Sequence, residues 1–180
     1  MRWQAWLVAV VSALCSLPAW AAPLAQPTVA VLYFDYDGKN EELTQLRKGF
    51  AQMLTTDLAD LETVKIVERA RLQEVLDEMK LSGTAKFDPT SAAKVGKLLG
   101  AKFLVLGAYF EAMGSIRFDT RVVETETGRI VRSVGVTGKP SEVLDLEQRL
   151  ADKLKDGLVA ALATAQEADQ AAPPRPPAPR

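Results

Sequence analysis

Asp35, Asp37 and Glu41 are the acidic side chains best placed for chemistry, because they directly follow the apolar run TVAVLYF at 28–34. Ligands of open α/β sheets sit beyond strand ends of this kind. Two aspartates two residues apart can aim at one cation, so an Asp35/Asp37 loop holding a metal or small ligand is one reading. A calcium loop needs several more oxygen ligands at fixed positions, and the stretch DYDGKN does not supply them. A solvated loop explains the spacing better.

The other polar groupings are equally spare. The chain has no histidine, which removes the commonest general base near neutral pH and the commonest zinc ligand. Hydrolase triads built on histidine are excluded with it. Arg69 and Arg71 stand beside Glu68 after an apolar run, where they could bind an anion. Pinning a helix start through local ion pairs is the plainer role. The stretch GKLLG at 96–100 lacks the Gly-Lys-Ser or Gly-Lys-Thr step of a phosphate loop and lies inside a helical pattern. Arg117, Arg121, Arg129 and Arg132 interleave with Asp119, Glu124 and Glu126, as on a wet sheet face or a protein contact. With 22 basic and 23 acidic residues and a formal charge of −1, no basic field suits nucleic acid. The residue types therefore point to no enzyme: no catalytic residue, no cofactor site and no metal ligand set.

The elements that position these residues read clearly. Residues 28–34 form a strand, and 41–61 a helix with Leu43, Leu46, Phe50, Met53, Leu54, Leu58 and Leu61 on one side. Only Asp57 breaks that stripe, and Asn40 is a plausible cap. A short strand follows at 64–67. A helix then begins at Glu68 or Arg69 and ends at Ser82-Gly83. Asp88-Pro89 starts the next helix, with Ala92, Val95, Leu98 and Leu99 on its apolar side and Gly100 closing it. Ala93 and Gly96 permit close approach to a neighbour.

The sheet is completed by a strand at 102–110, whose Gly107 implies tight packing or a bulge, and a hairpin. In its first strand, 115–124, Ile116, Phe118, Thr120 and Val122 share one face, while Arg117, Asp119 and Arg121 share the other. In its second, 129–137, alternation places Ile130, Val134 and Val136 on one face and Val131, Ser133 and Gly135 on the other. A last helix at 143–162 carries Leu146, Leu150, Leu154 and Leu158, with packing on the domain's own sheet favoured over coiled-coil pairing. The order predicts an α/β fold: a mixed sheet flanked by helices covering one face, in a two- or three-layer sandwich.

Residues 1–21 read as a secretory signal peptide, with Arg2, an apolar run at 7–17 and the small-x-small site Ala19-Trp20-Ala21. That run is shorter than the ~20 residues of a spanning helix. Cys15, the single cysteine, lies within this segment and follows Leu14, so neither a disulfide nor lipid attachment is expected. Residues 22–27 are a linker, 28–164 the globular domain and 165–180 a Pro-rich disordered tail, either a spacer or a docking peptide. The expected location is periplasmic, after passage across the inner membrane.

The segments VAVLYFDYDG, VKIVERARLQEVLDEMKLSG, DPTSAAKVGKLLGAKFLVLGAY and RFDTRVVETETGRIV together resemble the curli production assembly and transport (CsgG-like) family. Related periplasmic modules are FlgO, LpoB and the amino-terminal domain of TolB. The resemblance covers about 27–162, and Arg69 and Gly107 match its motifs as structural positions. It implies a non-enzymatic envelope module that binds an envelope protein or itself, with peripheral outer-membrane association and no membrane span in the mature chain. The alternative it implies is a subunit of an outer-membrane secretion or assembly complex of the curli-channel type. The expected departure from the channel is that no lipid-facing hairpin remains once the core strands are assigned.

Overall fold

A computed structural model describes residues 26–81 and 89–171. The expected signal segment, the 82–88 connection with its Ser82-Gly83 and Asp88, and the end of the tail lie outside them. Strand β1 (Thr28–Val31) leads through a short break to β2 (Asp35–Tyr36), and α1 (Glu41–Ala59) follows. Then come β3 (Lys65–Ile66), α2 (Arg69–Glu78), α3 (Pro89–Leu99), β4 (Phe103–Ala112), β5 (Ser115–Glu124), β6 (Ile130–Gly138) and α4 (Val143–Ala171), the last after a short 3-10 turn.

The sheet runs β3-β1-β4-β5-β6, with β2 also on β4. Pairing is parallel among β1, β3 and β4 and antiparallel from β4 to β6. The parallel half follows from the helical crossovers, the antiparallel half from short turns. Met113 and Gly114, both at positive φ, form the two-residue turn between β4 and β5, the geometry that matches strand twist.

Helices cover both faces, not one. Val29, Val31, Phe103, Val105, Ile116, Phe118, Val134 and Val136 face α1 and α4, where Phe50, Leu54, Leu58 and the four spaced leucines of α4 meet them. A run of rings passes through this layer, Phe34 to Phe50 at 4.9 Å, Phe50 to Phe118 at 4.3 Å and Phe118 to Tyr109 at 5.0 Å between centroids. On the opposite face, Ala30, Leu32, Leu104 and Leu106 pack under Leu72, Val75, Leu76, Ala92 and Val95 of α2 and α3. Because α2 and α3 join β3 to β4, they lie over that half and reach β5 only near its end at Val123. The molecule has three layers there and two over β5 and β6.

Three local readings change. Asp35 belongs to β2, paired with Ala108, and not to the loop that begins the DYDGKN stretch. Helix α2 ends at Glu78, ahead of Ser82-Gly83, because Lys80 takes the left-handed position at φ +57°. Leu81 then turns back, its N–H bonding the Leu76 carbonyl at 2.8 Å and its side chain joining the apolar cluster. In β6 the register shifts, so Val122 faces Arg132 while Val123 faces Ile130. Val131 is the extra residue. It turns toward the core, and Ile130 is exposed on the other face.

Candidate functional site

The acidic residues at 35–41 have separate local duties. The Asp35 carboxylate lies 3.9 Å from the Arg47 guanidinium, both half-buried. Arg47 also donates through Nε to the Phe34 carbonyl at 2.8 Å. The Asp37 N–H bonds the Tyr109 carbonyl at 3.1 Å, which continues the sheet. Asn40 caps α1, its Oδ1 accepting from the Glu42 N–H at 3.0 Å, and Glu41 stands in that helix's first turn. Among the described residues no group of three or more carboxylate or thiol side chains could hold a metal ion.

Arg69 is structural by another route than ion pairing. Its Nη1 donates to the Val31 carbonyl at 2.6 Å and its guanidinium covers the Tyr33 ring at 4.4 Å. Together with Arg47 it satisfies the carbonyls freed where β1 breaks before β2. Arg71 pairs with Glu74 at 3.0 Å on the surface. The Gly96–Gly100 stretch ends α3: Gly100 is at φ +63°, and the Ala101 N–H bonds the Gly96 carbonyl at 2.9 Å. Gly96 leaves room for the Thr125 side chain and Gly107 for the Phe34 ring, so both glycines mark close packing.

The feature with the geometry of a recognition site is the sheet face that α2 and α3 leave open. Register places Phe110, Arg117 and Thr137 side by side on it, then Ala108, Asp119 and Gly135, then Leu106, Arg121 and Ser133. The face is concave: a hollow of about 500 Å³ runs between Tyr33 and Asp35 at one side and Ser133 and Gly135 at the other. Arg117 grips Asp119 through both ends of its fork, at 2.7 Å and 2.8 Å, and this carboxylate raises the guanidinium's pKa above its ordinary value. Gly135 gives the pair its space. Arg121 has no carboxylate partner among the described residues, and Ile130 is exposed beside it at 52%, while Phe110, also exposed, stands two rows away opposite Arg117. A guanidinium without a carboxylate partner among the described residues, next to an exposed isoleucine, suits a partner presenting a carboxylate next to an apolar group.

The alternation in 115–124 already showed Arg117, Asp119 and Arg121 on one wet face. Ile130 was missed, because one bulge residue reverses the parity of the strand start. A second pairing was also invisible. Asp57, the break in the α1 stripe, lies near Glu147 of α4, which is buried in the packed layer. Burial, with the neighbouring Asp57 charge, pushes the Glu147 carboxyl up from 4.5 to about 7.

Fold and site define a mixed α/β module with one packed and one half-open sheet face. The chain belongs to the CsgG family: residues 11–112 match the family described as curli production assembly/transport component CsgG. The match begins within the segment expected as a signal and ends where β4 ends. No curated protein matches the chain. Among solved structures it is similar to the LpoB C-terminal domain from Salmonella enterica, at 14% identity and a TM-score of 0.51, over 63% of this chain and 83% of that one. It is also similar to lipoprotein GNA1162 from Neisseria meningitidis, at 12% identity and a TM-score of 0.52, over 81% of this chain and 99% of that one. At these identities the likeness is one of fold.

Proposed function

We propose that the chain is a non-enzymatic protein-binding and assembly module of the bacterial cell envelope, periplasmic once residues 1–21 are removed. It binds its partner through the open face of β4, β5 and β6. The observation that carries this reading is Arg121, without a carboxylate partner among the described residues, beside exposed Ile130 on a concave sheet face. Family membership and a core that spends its aromatic rings on packing support it. No described helix is long and apolar enough to cross a membrane.

The test is native affinity capture from envelope extracts, with Arg121→Glu/Ile130→Ser beside the parent and Leu144→Ser as a control on exposed α4 surface. The expected result is one discrete partner, lost from the double variant and retained by the control. A strict monomer that captures no protein would sink the reading. The family description favours a second reading, a subunit of an outer-membrane secretion or assembly complex. A large ring of copies extracted only by detergent would put that reading first.

A further inference from the structure

We propose that β6 is a strand-addition site for an extended, acidic segment of a partner protein. This rests on the reading of the chain as a protein-binding module and names the chemistry of what it binds. Among the described residues, strand β6 is the last of the sheet and pairs only with β5. The Ala112–Ser115 pair closes the two-residue turn, so it is a hydrogen-bonded pair, and bonded pairs alternate from there. Odd-numbered residues of β5 therefore bond β4, and even-numbered ones bond β6. Across the second ladder Ile116, Phe118 and Thr120 face Gly138, Val136 and Val134. The N–H and C=O groups of Ser133, Gly135 and Thr137 consequently point away from the sheet. Among the described residues they meet no hydrogen-bonding partner. Unpaired groups in such a row are a template for another strand.

The charge of this edge selects the occupant. Residues 129–141 contain Arg129, Arg132 and Lys139 and no carboxylate. Over Gly135 lies the Arg117–Asp119 ion pair, whose two charges offset one another, so the basic character of the edge comes from β6 and the residues flanking it. Arg129 has Glu124 at 3.7 Å and the Lys139 N–H bonds the Glu142 carboxylate at 3.1 Å, while the Arg132 guanidinium and the Lys139 ammonium form no ion pair among the described residues. A second copy of β6 would set like charges along one seam, which cross-strand pairing disfavours. A segment carrying glutamates or aspartates removes that repulsion. The bulge at Val131 and Pro140 bound the usable edge to the stretch between them.

The probe is a nine-residue peptide alternating threonine and valine with glutamate, compared with its lysine counterpart, by amide hydrogen exchange on the purified chain. The glutamate peptide should slow exchange at Ser133, Gly135 and Thr137 by roughly tenfold, as one added hydrogen bond each implies, and the lysine peptide should not. Ser133→Pro removes an outward N–H, a position where an edge strand tolerates proline. It should keep the fold and abolish the protection. Arg132→Glu/Lys139→Glu leaves the backbone alone and should reverse the peptide preference. The proposal is overturned by protection elsewhere only, by equal response to both peptides, or by an unchanged response in Ser133→Pro. It is overturned too by a dimer that Ser133→Pro dissolves, which would give the edge to a second copy. Partner capture lost in Arg121→Glu/Ile130→Ser but kept in Ser133→Pro would leave the module's function standing and remove strand addition alone.

Discussion

The two faces of β5 come from the same ten residues and meet opposite fates. Ile116, Phe118, Thr120 and Val122 are buried under α1 and α4, while Arg117, Asp119 and Arg121 lie on a face no helix covers. Strand alternation divides the residues, and connectivity decides which set is covered. Helix α4 returns from β6 across one face, whereas α2 and α3 belong to the β3-to-β4 crossover, cover the parallel half and reach β5 only near its end at Val123. Stability thus sits on one side of the strand, and the other side is free for recognition.

The largest effect should come from the packed face. Phe118→Ala removes the ring between Phe50 and Tyr109, and should cost about 3–5 kcal/mol in urea unfolding. Gly107→Ala comes next. Its Cβ would strike the Phe34 ring on that same face, for a loss of about 1–3 kcal/mol. The Asp57–Glu147 pair sharpens the contrast through pH. Folding raises the Glu147 pKa, so the folded state holds more protons than the unfolded one between 4.5 and about 7. Stability falls as pH rises through that window. Glu147→Gln should therefore gain on the order of 2 kcal/mol over the parent at pH 8 and little at pH 4.5. Equal gains at both values would contradict it. On the half-covered side, Lys80→Gly relieves a left-handed lysine at the end of α2 and should stabilise by about 0.5–1 kcal/mol. Arg121→Ala, on the open face, should change stability by less than about 0.5 kcal/mol while weakening partner capture.

Much of this arrangement was legible in the residues. The 115–124 alternation and the Leu146 to Leu158 spacing each identify a buried side without reference to any partner. Gly96 and Gly107 announce close packing, because only a missing side chain admits a neighbour there. What escaped depended on contacts distant in sequence. Nothing near Asp57 reveals that Glu147 lies against it, and nothing near Asp35 reveals Arg47 or the pairing with Ala108. The helices covering both faces follow from strand order, which periodicity does not encode. The early end of α2 turns on Leu81 preferring the core, a tertiary gain that outweighs the left-handed strain at Lys80. The parity of β6 hangs on one bulge residue, and the edge that strand offers becomes visible only with the register.

The most direct test compares photocrosslinking from Ile130, on the open face, with crosslinking from Leu144, exposed on α4. With the full chain in its envelope, a discrete protein adduct from Ile130 and none from Leu144 is the result expected here. Adducts from Leu144 alone, or the same adducts from both positions, would contradict recognition by the open face.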